Sequence, residues 1–300
     1  MASTNHPELL TLRDWLRYAV SQFNGANLQY GQGSDNAWDE AVYLLLHSLQ
    51  LPLDTLEPFL DARLLPDERQ RCREIINQRC VERLPAAYIT GEAWLQGCRF
   101  KVNRSVIIPR SPISELLADQ LLPWIAHPER INTALDMCTG SGCLAILTAL
   151  AFPDAQVDAV DISPDALEVA STNVRDYGLE QRLTLYQSDL FDDLAPRRYD
   201  LIICNPPYVN QTSMQALPQE FQYEPTMALA GGDNGMDYVK RILAAAPHYL
   251  SNQGVLLLEI GHEAAHFSNE FPDLSPLWIN TANTEDCLLL LTRDQLLDQA

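Results

Sequence analysis

No apolar run reaches the ~18 residues that a membrane helix needs, so a helical membrane anchor is not expected. The N-terminal residues MASTNHPELLTLRDW lack a basic stretch followed by an apolar core. No secretory signal is expected there, and the default compartment is the cytoplasm. There is no C-x-x-C, and the seven cysteines (72, 80, 98, 138, 143, 204 and 287) are odd in number. Both facts argue against a disulfide framework or a zinc knuckle. Six histidines include His262 and His266 at i, i+4, but without an H-E-x-x-H context, so no metal is expected. Internal repeats and low-complexity stretches are also missing.

Positive charge is scarce. The chain has 20 Lys+Arg against 40 Asp+Glu, a net of −20. Residues 1–108 carry 11 and 13, a net of −2, whereas residues 109–300 carry 9 and 27, a net of −18 with the single lysine Lys240. An acidic body repels a phosphate backbone, whose affinity for proteins comes largely from Lys and Arg. Free nucleic acid is therefore not expected as a partner, and a basic protein is. Acidity that serves only solubility is the other reading, and charge alone does not separate the two.

What is present is enough to build a large core: 300 residues, 47% of them apolar and 20% charged. That length is one large domain or two small ones. Residues 1–90 read as a helical bundle. Leu9, Leu12, Leu16, Ala19 and Phe23 share one 3.6-period face, ended by Gly25. A second helix opens at S-D-N (34–36), with Asp39 and Glu40 in its first turn. A third is expected over 66–84. Residues 91–108 change texture: AWLQG and CRFKV, broken by Gly97, read as a β-hairpin linker. Over 109–300 the runs TALDMC, QVDAVD, LTLYQ, DLIICN and VLLLEI alternate with helical patterns at 143–151, 164–177 and 237–248. That alternation predicts an α/β, Rossmann-like fold with a mostly parallel sheet. LWINT and CLLLLT are joined by a short link, which suits an antiparallel last strand.

Four segments could carry chemistry. Asp136-Met137-Cys138-Thr139-Gly140-Ser141-Gly142 ends the first of these strands and opens a helix. Such turns bind NAD, FAD or S-adenosylmethionine, or are only tight turns. Asp136, four residues before Gly140, would oppose a pyrophosphate but suits a cationic amino group. Asp161 ends the second strand, where a carboxylate can accept both ribose hydroxyls of either adenosine cofactor, or can cap the following helix. Ser188-Asp189-Leu190-Phe191 follows the third strand. Asp189 can accept from an adenine amino group with Leu190 or Phe191 over the ring, or be a loop acid beside a core aromatic. Asn205-Pro206-Pro207-Tyr208 follows the fourth strand. Two prolines fix φ and remove two donors, leaving a rigid loop rich in carbonyl acceptors. A planar NH2 group can donate to the Asn205 side-chain oxygen and the Pro206 carbonyl while Tyr208 stacks on it.

The order D-x-x-T-G-S-G then N-P-P-Y resembles the class I S-adenosylmethionine methyltransferases that modify planar nitrogens. PAAYITGEAWLQGCRFKVNRSVIIPR and EFQYEPTMALAGGDNGMDY resemble segments of their glutamine-N5 protein methyltransferase branch, as does the helical N-terminal region. Two targets are familiar in that branch: peptide-chain release factors and the third protein of the large ribosomal subunit. YGQGSDNAWDEAVYLLLHSLQLP resembles the ribosomal-protein enzymes. So does Pro109-Arg110-Ser111-Pro112-Ile113, where the release-factor enzymes usually read P-R-P-E/D-T-E. The resemblance implies S-adenosylmethionine as cofactor and a methyltransferase domain over 109–300. It implies cofactor contacts at Asp136, Thr139, Gly140, Ser141, Gly142, Asp161, Asp189, Leu190 and Asn205. Some relatives carry Trp where Leu190 stands. It implies Asn205, Pro206 and Tyr208 as catalytic, and Pro207, Phe100 and Arg110 beside them at the substrate. The helical domain would select a basic ribosomal protein. Two rivals use the same residues: amino-methylation of nucleic-acid bases, and a nucleotide-binding module without catalysis.

Overall fold

The computed structural model describes residues 8–282 and 284–298; the first seven residues, where no secretory signal was expected, lie outside them. The chain divides into two units. One runs up to Glu92 and includes Pro218–Tyr223; the other comprises Ala93–Leu217 and Glu224 onward. Among the described residues, no helix is long and apolar enough to cross a membrane.

The first unit is built on three helices, Leu12–Gly25, Ala37–Ser48 and Pro66–Cys80. Thr11 starts the first with a reciprocal cap: its hydroxyl accepts from Asp14 N at 3.2 Å, and Asp14 accepts from Thr11 N at 2.9 Å. Asn36 caps the second by accepting from Trp38 N and Asp39 N, each at 3.0 Å. The third helix stops at Cys80, short of the expected residue 84. Arg83 turns to φ +60° ahead of Pro85, and its guanidinium donates to Ala26 O at 2.5 Å. Leu12, Trp15, Leu44 and Leu45 fill the core of this unit. Inside it, Arg79 pairs with Glu40 at 2.6 Å. Glu220, brought in by the returning segment, accepts from Arg83 at 2.9 Å and from Gln29 N at 3.1 Å.

The second unit opens with the hairpin β1 (Glu92–Leu95) and β2 (Cys98–Lys101), turned at Gly97 with φ +72°. It is no free linker. Lys101 N donates to the Asn173 side chain at 2.7 Å, and Phe100 is buried with the apolar face of the helix Cys143–Ala151. Seven further strands follow: β3 (Thr133–Met137), β4 (Gln156–Asp161), β5 (Leu183–Gln187), β6 (Tyr199–Cys204), β7 (Leu250–Glu259), β8 (Leu277–Ile279) and β9 (Leu288–Thr292). They form one sheet in the order β5-β4-β3-β6-β7-β9-β8. Strands β3 to β7 are parallel; β9, the last in sequence, runs antiparallel to β7 and to the edge strand β8.

Side-chain alternation sends each strand into two layers. On β6, Leu201 and Ile203 face the core that holds Cys143–Ala151, while Ile202 and Cys204 face the one that holds Asp237–Tyr249. Strand order reverses between β3 and β6. Open α/β sheets bind ligands at the strand ends beside such a reversal.

Candidate active site

A cleft lies at the carboxyl ends of β3, β4 and β6. Gly140, Asp161, Asp189, Leu190, Asn205 and Pro207 line it. The sequence missed Ser105, Val106 and Ile107 from the segment after β2, and Met227 and Tyr238 from the stretch after N-P-P-Y. The only signal for them was the likeness of both stretches to relatives, which named no residue there.

The turn after β3 is held by its own residues. Cys138, Gly140 and Gly142 have φ of +62°, +56° and +79°. Gly142 must be small: a Cβ there would stand 3.2 Å from that of Ala170. Asp136 is 1% exposed, and its Oδ2 accepts from the Thr139 hydroxyl at 2.5 Å and from Ala145 N at 2.9 Å. Asp136, Thr139, Ser141 and Gly142 thus lie behind the cleft surface and shape the turn. Oδ1 of Asp136 has no hydrogen-bond partner among the described residues. Burial pushes this carboxyl up to about 7, against the opposing bonds from Thr139 and Ala145 N. An orphaned buried acceptor of this kind fits a cationic amino group.

Asp161, at the end of β4, lines the cleft while accepting from Gly140 N at 2.8 Å and Ser163 N at 2.9 Å. Both oxygens keep lone pairs for hydroxyl donors. Burial raises its pKa, and the backbone donors oppose the rise. Asp189 is half-buried and pairs with Arg241 at 3.0 Å. Leu190 is buried on the cleft wall at φ +53°, an uncommon conformation for a branched residue.

The loop after β6 is held from elsewhere. Asn205 and Pro207 line the cleft, and the Asn205 side chain has no hydrogen-bond partner among the described residues. Tyr208 is half-buried, donates its hydroxyl to Glu259 at 2.8 Å, and is not among the lining residues. Val209 N donates to Leu229 O at 2.8 Å, and Gly231 N to Val209 O at 2.9 Å. A Cβ on Gly231 would stand 2.6 Å from the Tyr208 Cα, so only glycine allows this approach.

Two further residues expected at the substrate are placed differently. Phe100 is a correction: its side chain is 0% exposed, packed in the core and stacked on Tyr177 at 5.7 Å between ring centres. On β2 it alternates with the exposed Arg99 and Lys101, which turns it inward. Arg110 is tied to a protein partner instead, donating to both oxygens of the fully buried Glu224 at 2.5 and 2.8 Å. Glu224 also accepts from Ile108 N at 3.0 Å, which fastens the stretch after N-P-P-Y to the segment after β2.

Family models match both units: the methyltransferase small domain over residues 114–267 and the PrmC N-terminal domain over residues 14–91. The ribosomal protein uL3 glutamine methyltransferase of Bordetella pertussis is 65% identical over 296 residues, 99% of each chain. The chain belongs to the family of the ribosomal protein uL3 glutamine methyltransferases. The enzyme of that name from Burkholderia pseudomallei is 52% identical over 98% of each chain, and that of Neisseria gonorrhoeae 52% over 97% of each. A solved Pyrococcus furiosus methyltransferase is a distant likeness, with 15% identity and a TM-score of 0.47 over 75% of this chain and 98% of that one. As a uL3 glutamine methyltransferase family member, the chain is an enzyme of the S-adenosylmethionine-dependent class. Its cleft suits that cofactor: an unpaired buried carboxyl oxygen behind the turn, a carboxylate at the end of β4 and a glycine turn between them.

Proposed function

We propose that this chain methylates the side-chain amide nitrogen (N5) of a glutamine in large-subunit ribosomal protein uL3. The observation that carries this reading is identity of 52–65% over nearly the full length to enzymes of that name. S-adenosylmethionine, when bound, supplies an electrophilic methyl group on a sulfonium.

The chain's own residues have two tasks. Asp136 would hold the cofactor's amino group, Asp161 its ribose, and Asp189 with Leu190 its adenine. Asn205 and Pro206 orient the nucleophile. An amide nitrogen is poorly nucleophilic because its lone pair is delocalised into the carbonyl. The Asn205 side-chain oxygen and the Pro206 carbonyl accept its two hydrogens, enrich it in electron density and hold it for in-line attack. The chain needs no strong base, because a methylated amide nitrogen is acidic enough to give its extra proton to water. An unpartnered Asn205 side chain on the cleft wall supports this assignment. Arg110 acts here by fastening Glu224 rather than by touching substrate.

The substrate is a basic protein of the large subunit, met in the cytoplasm, and the charge of −18 on residues 109–300 favours its approach over that of free nucleic acid. The helical unit selects it. The test is incubation of purified enzyme, labelled S-adenosylmethionine and purified uL3, followed by mass spectrometry. One glutamine should gain one methyl. Label on a release factor but not on uL3 would overturn the assignment.

A further inference from the structure

A buried carboxyl beside the cleft has no part in the steps above. Glu259 ends β7 and is 4% exposed. Its Oε1 accepts the Tyr208 hydroxyl at 2.8 Å, and its Oε2 accepts the Ser111 hydroxyl at 2.5 Å. Ser111 in turn accepts from Ile113 N at 3.3 Å. Two residues beyond Glu259, Gly261 turns at φ +53° directly against the Tyr208 ring. A Cβ there would overlap ring carbons. The hydroxyl of Tyr208 is thus pinned at one end and its ring stopped at the edge, both by the 259–261 corner.

Burying a carboxyl costs free energy that an apolar residue at the same place would not incur. Burial raises the pKa of Glu259, and its bonds to Ser111 and Tyr208 oppose that rise. The bonds partly offset the cost, and what they fix is one aromatic ring. Between that ring and Asn205 lie only Pro206 and Pro207, whose φ angles are locked. A shift at Tyr208 therefore passes with little loss to the two acceptors that hold the substrate amide. We infer that Glu259 is a positioning residue for methyl transfer: through Tyr208 it sets where the acceptors of Asn205 and Pro206 stand. Ser111 holds the second oxygen of the carboxyl, and Gly261 backs the ring. The inference rests on the role given above to Asn205 and Pro206, and Glu259 itself touches no reacting atom.

The test compares wild type with Tyr208→Phe, Glu259→Leu, Glu259→Gln, Ser111→Ala and the double variant Tyr208→Phe/Glu259→Leu. Turnover on uL3, KM for S-adenosylmethionine and for uL3, and melting temperature are measured on each. Tyr208→Phe deletes one hydroxyl and should lower kcat about tenfold, the scale of one buried hydrogen bond. Both KM values should stay within about twofold, since the effect lies in orientation and not in ground-state binding. Glu259→Leu should lose at least as much. Glu259→Gln keeps an acceptor oxygen for the tyrosine and should recover most of kcat. The double variant should be no slower than the slower single one, because both remove the same interaction.

Full kcat in Tyr208→Phe, or losses that add in the double variant, would overturn the inference. So would a lower melting temperature with unchanged kcat. If Glu259→Leu does not fold, Tyr208→Phe and Ser111→Ala decide the matter, with Ser111→Ala expected to slow turnover about twofold. A wild-type enzyme that leaves uL3 unmethylated would overturn the proposed function and this inference together. Normal variants of an active wild type would overturn this inference alone.

Discussion

The turn after β3 and the loop after β6 border one cleft and are built by opposite means. The turn is self-contained. Asp136 braces it through Thr139, three residues on, and Ala145, nine residues on. Three consecutive alternate residues, Cys138, Gly140 and Gly142, take left-handed φ. The loop depends on remote partners. Tyr208 reaches Glu259, 51 residues away, and its backbone lies against Gly231 and Gly235. A self-braced turn can present a fixed acceptor to a cofactor common to many enzymes. A loop braced from outside can be tuned for its own substrate by changing residues that the substrate never meets.

The largest effect expected on that contrast comes from Asn205→Ala. Losing a positioned acceptor where charge develops should lower turnover by about a hundredfold, roughly 3 kcal/mol, with melting temperature and cofactor affinity near normal. Turnover within a few-fold of wild type would mean that the loop does not orient the nucleophile.

Two glycine variants come next. Gly231→Ala places a Cβ against Tyr208 backbone and within 2.8 Å of the Pro207 carbonyl, neither of which can move aside alone. Denaturation should show a loss of about 2 kcal/mol, together with slower turnover. Gly140→Ala meets nothing within 4 Å and carries only the strain of φ +56°, about 1 kcal/mol. Equal losses of stability and turnover in the two would erase the distinction between a remote and a local brace.

Asp136 supplies a pH test. Burial raises its pKa to about 7, above the ordinary aspartate value of 3.8. Between those values the folded state holds the extra proton, so its contribution to stability falls as pH rises through that window and levels off above about 7. A bound cation favours the ionised carboxyl. Cofactor affinity should therefore rise with pH up to about 7, and calorimetry in buffers of different ionisation enthalpy should detect proton release. Asp136→Asn should abolish that pH dependence; its persistence would move the titration to another group.

The smallest effect on activity belongs to Phe100→Leu. A core substitution should cost about 1 kcal/mol and leave turnover and both KM values unchanged. A raised KM for uL3 would return Phe100 to the substrate face.

The same contrast explains what could be read from the residues alone. The sheet was legible because its strands are short apolar runs, and β3, β4, β6 and β7 are each followed by helical sequence before the next strand. The turn was legible because Asp136, Gly140 and Asp161 stand at spacings that local geometry dictates. Asn205-Pro206-Pro207-Tyr208 stood out because two prolines after a strand limit what the backbone can do. What holds that loop was not legible. Glu259 reads as one more acid at a strand end, and Gly231 as one glycine in a glycine-rich stretch, until folding brings them to Tyr208. Phe100 turns inward because a four-residue strand has only one inward-facing aromatic position, and which face is inward is set by the core it packs against.

The segment Pro218–Tyr223 bears on the order in which the protein can be made. It folds with the helical unit, where Glu220 receives Arg83 and the Tyr223 hydroxyl donates to Glu82 O. Ribosomes deliver domains from the N-terminus, and most can close as soon as they emerge. This unit has its helices once Glu92 is made, yet it waits about 130 residues more for Glu220 and Tyr223. At about 5–20 residues per second that is a delay of roughly 7–26 seconds, during which Arg79 and Arg83 lack the carboxylate that joins them. Nascent-chain proteolysis should find the helical unit protected only after Tyr223 has left the exit tunnel.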